Sequence, residues 1–347
     1  MPHRQANIEI GLNAVIVSVA GGLPQIVHVN DAKEASTQTG QQTGAESGTN
    51  APGEATLDSL PFGPFDPIRH RTFEIGLRSW VENQTALRLG YVEQLYTFGD
   101  RGRHRVFGDE GPHVVSVGYL ALTRQTPDSE SMLLRHDSAW RSWYDYFPWE
   151  DWRTGRPDVL DRDILPALDA WSSEPPPSGE PPKPLGRQER VRLAFGTGGT
   201  SWDEERALER FELLYEAGLV EEARTDGRPA ALRRSNLPFL GASMRFDHRR
   251  VLATAISRLR GKLKYRPVIF ELMPETFTLT ELQTSVEAIS GRHLHKQNFR
   301  RLVENADLVE PTGATSTATG GRPAALFRFR HQLLSERPAP GLRVGGR

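Results

Sequence analysis

The sequence predicts an α+β chain: an N-terminal sheet domain, an inserted middle segment and a C-terminal winged helix-turn-helix. Three observations predict it. Apolar and polar residues alternate from Ile8 to Val29 around Gly21-Gly22, the pattern of a hairpin with partly buried strands. Two short helical patterns follow one another after Phe277, the second polar and basic at its start. Charge is also divided unevenly. Arg245 to Arg347 holds 18 Lys+Arg against 9 Asp+Glu, and the remainder holds 25 against 35, although the whole chain has a net charge of −1. Such a split points to a polyanion-binding C-terminal module, with a merely basic tail as the plainer alternative.

Residues 32–54 are almost free of large apolar side chains, so they are expected to form a mobile loop that cannot offset its ordering entropy. A helix is expected from about Arg71 to Leu89, then strands at Val92–Phe98 and Val114–Arg124 with an Arg101–Gly111 loop between them. Trp140 to Trp152 is dense in aromatic rings. It reads first as a hydrophobic plug and second as a platform for a purine. Glu174–Pro184 reads as a proline-rich linker. From Asp247 to Leu263, Val251, Leu252, Ala255, Ile256, Leu259 and Leu263 fall on one helical face, and Arg249, Arg250, Arg258 and Arg260 share the rest.

An internal repeat is present. Leu213–Glu221 aligns without gaps on Leu302–Glu310, and Gly-Arg-Pro-Ala-Ala-Leu follows at 227–232 and again at 321–326. Both copies read as the helix, strand, loop and strand of a winged helix. The first is acidic (Glu204, Glu205, Glu209, Glu212, Glu216), so only the second is suited to phosphates.

Several classes are excluded or disfavoured. With no cysteine, disulfides and Cys-ligated zinc or iron–sulfur sites are impossible. No apolar run reaches membrane-spanning length, and the N-terminus lacks a signal-peptide core, so a cytoplasmic location is expected.

In the basic module, Thr278/Glu281 and Thr280/Gln283 both fit a capping box at the start of a helix, and Gly291 breaks it. The next helix places Phe299, Leu302 and Val303 inward and His295, Lys296, Gln297, Asn298, Arg300 and Arg301 outward. Lys and Arg can read guanine edges, and Gln and Asn can read adenine edges. Thr312–Gly320 is expected to be the wing tip, with Arg322, Arg328 and Arg330 as phosphate contacts. Thr278 joins the DNA-facing set. The alternative is a helical packing module with a solvated basic face.

Two regions resemble the Nudix-related transcriptional regulators of NAD metabolism. One is Tyr91-Val92-Glu93-Gln94-Leu95-Tyr96-Thr97-Phe98-Gly99-Asp100. The other starts at Phe246-Asp247-His248 and continues through Lys264-Tyr265-Arg266-Pro267, Phe277-Thr278-Leu279, Asn298-Phe299-Arg300-Arg301 and Gly321-Arg322-Pro323-Ala324. With an insertion at about 153–242, the chain is similar to the alphaproteobacterial NAD-biosynthesis repressor branch. The resemblance implies a Nudix-like α/β/α sandwich over 1–152, the inserted segment with its winged-helix-like repeat over 153–242, an amphipathic linker helix over 243–264 and the winged helix over 265–347.

Active Nudix hydrolases carry G-x5-E-x7-R-E-U-x-E-E-x-G-U, with U apolar. Here Arg78 and Glu82 occupy an Arg and a Glu position, but His70, Ser79 and Asn83 replace three glutamates and Thr85 replaces the glycine. One carboxylate of four cannot build an oxygen-rich Mg²⁺ site. No enzyme activity, metal or required cofactor is therefore expected. The resemblance implies an effector such as ADP-ribose, NAD or ATP, with Arg78, Glu82, Phe98, Asp100, Arg101, Arg103 and His104 as candidate contacts. The expected whole is a homodimeric repressor of NAD biosynthesis genes on a palindromic operator of double-stranded DNA. The alternatives are a Nudix pyrophosphatase using Glu74, Glu82 and Glu93, and a scaffold whose winged helices bind protein.

Overall fold

The computed structural model describes residues 8–30, 57–100, 103, 113–175, 183–316, 323–330 and 332. The expected mobile loop at 32–54 and most of the proline-rich linker lie outside them.

The long first strand β1 (Ile8–Ala20) turns at Gly21-Gly22 into β2 (Leu23–Asn30). β3 (Asp58–Ser59) and β4 (Phe62–Pro64) follow, then helix α1 (Phe73–Thr85), β5 (Tyr91–Phe98), β6 (His113–Leu122), the short helix α2 (Ser129–Arg135) and β7 (Ser138–Ser142). The seven strands form one mixed sheet along the path β3-β2-β1-β6-β5, with β4 also paired to β1 and β7 to β2. β1 and β6 run parallel at its centre, Ile8 opposite His113 through Val17 opposite Leu122, and the other pairs are antiparallel.

Strand side chains alternate between faces, so the parity of β1 and β6 sorts the core into two layers. Leu12, Ala14, Ile16, Val117, Tyr119 and Ala121 pack with Leu77 and Val81 of α1. Val15, Val17, Leu120 and Leu122 pack with the aromatic segment and with α8 (His248–Leu263). That is an α/β/α sandwich, with α1 on one face and α8 on the other.

Trp143, Tyr146, Phe147 and Trp149 are completely buried and form the expected plug, whereas Trp140 and Trp152 are half-buried. Tyr146 donates to Asp58 (2.6 Å), which also meets His28 (3.2 Å) and Arg141 (2.5 Å). Burial alone would raise the Asp58 carboxyl, but hydrogen bonds from His28 and Tyr146 and the charge of Arg141 bring it down to about 2. A depressed carboxylate stabilises the fold above its unfolded value and loses that contribution as pH falls through the folded value. Asp58→Asn is therefore expected to cost about 2 kcal/mol near neutral pH. Urea unfolding of both proteins at pH 6 and pH 2.5 checks this, because the gap must narrow at the lower pH.

The inserted segment is helical: α3 (Leu165–Ser173), α4 (Arg187–Phe195), α5 (Ala207–Glu216), α6 (Glu221–Thr225) and α7 (Pro229–Leu232). This corrects the reading of its repeat copy as a winged helix. Glu221-Glu222-Ala223-Arg224 continues as helix, and Pro229 starts another at N1. The aligned positions after Leu308 read Val309-Glu310-Pro311-Thr312-Gly313, which a helix interior does not tolerate. Gly218 (φ 67°) seals the first copy, since a Cβ there would lie 2.3 Å from the Ala231 nitrogen.

α8 lies between the sheet and the insertion, and this corrects the reading of its arginines as a common polar face. Arg249 and Arg260 are buried, Arg249 against Glu222 (3.3 Å) and Arg260 against Glu150 (2.5 Å). Of the four, Arg258 is exposed. No helix among the described residues is long and apolar enough to cross a membrane.

Candidate nucleic-acid interface

After α8 come α9 (Leu279–Ser290), α10 (Lys296–Ala306) and the antiparallel pair β8 (Val309–Ser316) and β9 (Ala324–Phe329). Phe277 and Phe327 exchange two backbone hydrogen bonds (2.9 and 2.8 Å), an isolated bridge that ties the start of α9 to the wing. The order helix, turn, helix, wing is thus complete in space.

Thr278 is the buried N-cap of α9. Its hydroxyl accepts from the Glu281 N–H (3.2 Å), and the Glu281 carboxylate accepts from the Thr278 N–H (2.6 Å). That capping box uses up the side chain, so Thr278 leaves the DNA-facing set. The alternative box fails because Gln283 donates instead to Glu287 (2.9 Å) and to the Leu294 carbonyl (2.7 Å). Gly291, in the left-handed region at φ 72°, ends the helix.

α10 buries Phe299 and Val303 and half-buries Leu302, as its spacing requires. His295, Lys296, Gln297, Asn298, Arg300 and Arg301 are all exposed on the opposite side. Among the described residues, none of these six side chains has a hydrogen-bond or ion-pair partner, whereas most cations elsewhere in the fold are paired. An uncompensated basic face costs the free protein little in water and is available to phosphates and base edges.

The wing contributes less than its sequence suggests. Arg330 pairs with Asp307 at the C-cap of α10, and Arg328 pairs with Glu310 (2.6 Å). Arg330 is therefore turned toward the recognition helix rather than presented at the tip. Thr312–Ser316, expected as tip, belongs to β8, and Arg322 lies outside the described residues.

The candidate effector residues that the structure describes do not converge. Arg78 and Glu82 lie on α1, on one side of the sheet. Arg78 pairs with Glu74 (2.8 Å) and donates to the Leu89 and Gly90 carbonyls. Glu82 is 56% exposed and has only Arg88 nearby (3.4 Å). Phe98 is buried on the opposite face, beneath Arg250 of α8. Arg103 is also buried, pairing with Glu212 of α5 (3.1 Å) and Asp247 (3.3 Å) over the Tyr215 ring (3.8 Å). Asp100 and Arg250 complete this cluster (2.5 Å). Arg103 is thus taken up by internal carboxylates, and Arg101 and His104 lie outside the described residues.

Sequence reasoning missed Asp247, Glu212 and Arg250, which fix α8 to the loop and the insertion. Burial pushes the Asp247 carboxyl up to about 7 even with Arg103 and Arg250 beside it. The motif neighbours of Asp247 are structural too: His248 Nδ1 accepts from the Leu60 N–H (3.1 Å), and the Phe246 ring packs on Phe62 (5.4 Å).

The alternative carboxylates do not form a metal site. Glu74 faces Arg78, and Glu93 pairs with Lys262 while accepting from the Tyr91 hydroxyl (2.7 Å). No group of three potential ligands converges among the described residues.

Sheet sandwich and basic module define a two-part protein: an α/β/α sandwich domain carrying a winged helix. Residues 269–329 match the family model described as the NrtR DNA-binding winged helix domain. A 93-residue stretch is 43% identical to the ADPR responsive transcriptional repressor NtrR of Acinetobacter baylyi, covering 27% of this chain and 37% of that relative. The chain thus spans little more than a third of the curated relative it matches. In structure it is similar to Shewanella oneidensis NrtR complexed with a 27mer DNA, with a TM-score of 0.53 and 20% identity over 94% of this chain and 95% of that one. A second structure of NrtR from the same organism gives a TM-score of 0.51 at 19% identity, covering 93% of this chain and 94% of that one. At such identity these two likenesses concern the fold.

Proposed function

We propose that this chain is a DNA-binding transcriptional repressor of NAD biosynthesis genes, controlled by an adenine nucleotide bound in its Nudix-like domain. The unpartnered polar and basic face of α10 carries the reading, in a module that matches a DNA-binding family. Lys296, Gln297, Asn298 and Arg301, early in α10, are the base readers, and His295 and Arg300 flank them. Arg322 is assigned to a phosphate at the wing, and Arg330 would join it only by leaving Asp307. One winged helix covers a half-site, so the active form is a homodimer on a palindromic operator.

ADP-ribose is the first effector to test, because the Acinetobacter relative is described as ADPR responsive. NAD and ATP are the next. Arg78, Glu82, Asp100, Arg101, Arg103 and His104 remain the candidate contacts, and those on the Asp247 cluster would have to exchange an internal ion pair for a phosphate. Phe98 would act by packing beneath them. The Nudix-like domain binds without turnover, because among the described residues Glu82 has no neighbouring carboxylate with which to hold Mg²⁺.

Two measurements on one sample test this. With Mg²⁺ or Mn²⁺ and ADP-ribose, AMP release should not exceed the protein-free control. A ligand that binds only the folded state adds about 2.7 kcal/mol at a hundred times its Kd, so the melting temperature should rise with ADP-ribose concentration. Sustained AMP release would make the protein a pyrophosphatase. A flat melting temperature across ADP-ribose, NAD and ATP would remove the sensor.

A further inference from the structure

The helix-turn-helix is attached to the sheet domain by more than its linker. An α-helix leaves its last four carbonyls without intrahelical donors. In α9 the Ala288 carbonyl accepts from the Tyr144 hydroxyl (2.7 Å) and the Ile289 carbonyl from Arg260 Nε (2.9 Å). The Gly291 carbonyl accepts from the Trp152 N–H (2.7 Å). All three donors lie outside the winged helix, and the cation sits at the negative end of the α9 dipole. A Cβ on Gly291 would lie 2.4 Å from the Glu150 carbonyl oxygen, so backbone meets backbone at this joint.

Behind the joint is a buried ion triad. Glu150 accepts from Arg210 Nε (2.6 Å) and Nη2 (2.9 Å) and from Arg260 Nη1 (2.5 Å), and all three side chains are fully buried. Arg210, on α5 of the insertion, sends its other hydrogen bonds to the Ala194 (2.9 Å), Asp203 (2.8 Å) and Glu204 (3.5 Å) carbonyls and stacks over Trp202 (3.8 Å). Among the described residues, none of its hydrogen bonds or ring contacts reaches the winged helix. Well-packed apolar side chains of similar volume often stabilise a core as well as a buried ion triad does. What ions add is direction: the carboxylate fixes where the Arg260 guanidinium points, and thus which α9 carbonyl it meets.

We propose that Arg210, Glu150 and Arg260 form an orientation lock, a buried relay through which the inserted segment sets the angle of the helix-turn-helix against the sheet domain. The lock concerns geometry alone and stands whether or not the proposed operator and effector are correct.

The chain has no cysteine, so introduced thiols are its only labelling sites. Glu130→Cys on α2 and Glu304→Cys on α10, both exposed, take a spin-label pair across the joint. Glu9→Cys with Glu130→Cys is the control pair within the sheet domain. Dipolar distances are measured on the full chain diluted with unlabelled protein. The unsubstituted triad should give one narrow distribution across the joint. Arg210→Met should at least double its width or add a second peak while leaving the control pair unchanged. Arg210→Lys, which keeps the charge but loses the two-pronged bond, should fall between them and serves if the Met variant does not fold. A variant that melts earlier yet keeps the narrow distribution would overturn the lock, leaving Arg210 as local packing.

Discussion

Glu150→Ala is expected to destabilise the protein by about 3–5 kcal/mol, the cost of stripping the partner from buried charges. The substitution leaves the Arg210 and Arg260 guanidiniums facing each other at a site that water does not reach. Burial alone would raise the Glu150 carboxyl, yet the two arginines hold it below the usual glutamate range, so it is ionised at neutral pH. Folded stability is commonly 5–15 kcal/mol in total, so this one change removes a large fraction. Urea unfolding at pH 7 checks it. Arg210→Met with Glu150→Met is the informative companion, because removing the carboxylate together with one arginine should recover part of the loss. A Glu150→Ala protein within 1 kcal/mol of the parent would mean that the triad is hydrated in solution.

The second large effect is on binding. Lys296→Ala combined with Arg301→Ala should weaken operator affinity by about 2–6 kcal/mol, because a side chain reading a base edge contributes about 1–3 kcal/mol of discrimination. Both residues are exposed and, among the described residues, without internal partners, so the double variant should melt close to the parent. Thr278→Ala is the contrasting control. It should cost about 1 kcal/mol of stability as a lost helix cap and leave the ratio of operator to random-DNA affinity unchanged. Fluorescence anisotropy with operator and random duplexes measures all of these. A double variant that binds operator as tightly as the parent would remove α10 from the interface.

What the sequence made legible was whatever depends on local periodicity. The β1–β2 hairpin, β5, β6, α8 and the inward set Phe299, Leu302 and Val303 follow from period-2 and period-3.6 patterns. What it hid depends on a second layer. Arg249 and Arg260 read as a polar face because the α8 stripe shows which side meets one layer and is silent about the insertion covering the other. Arg103 read as a phosphate ligand because its partner Glu212 lies 109 residues away. The repeat misled for the opposite reason: Gly-Arg-Pro-Ala-Ala-Leu contains a helix at Pro229–Leu232 and leads into a strand at Ala324, and the deciding residues, Pro311 and Gly313 against Glu222 and Arg224, lie upstream. The charge split was real, but its size overstated the reader. Arg249, Arg250, Arg260, Lys262, Lys264, Arg292, Arg328 and Arg330 are all spent on internal carboxylates.

The central claim is that the C-terminal module binds DNA sequence-specifically, and the salt dependence of binding on two sequences tests it most directly. Full-length protein is titrated into a labelled promoter fragment of an NAD-biosynthesis operon between 50 and 200 mM salt. Each phosphate neutralised lowers the slope of log K against log salt by about 0.9, so a dimer placing several cations on the backbone should give a slope steeper than about −4. The same titration on random DNA should give weaker binding with a similar slope. Binding that is insensitive to salt, or equal on the two sequences, would contradict the account.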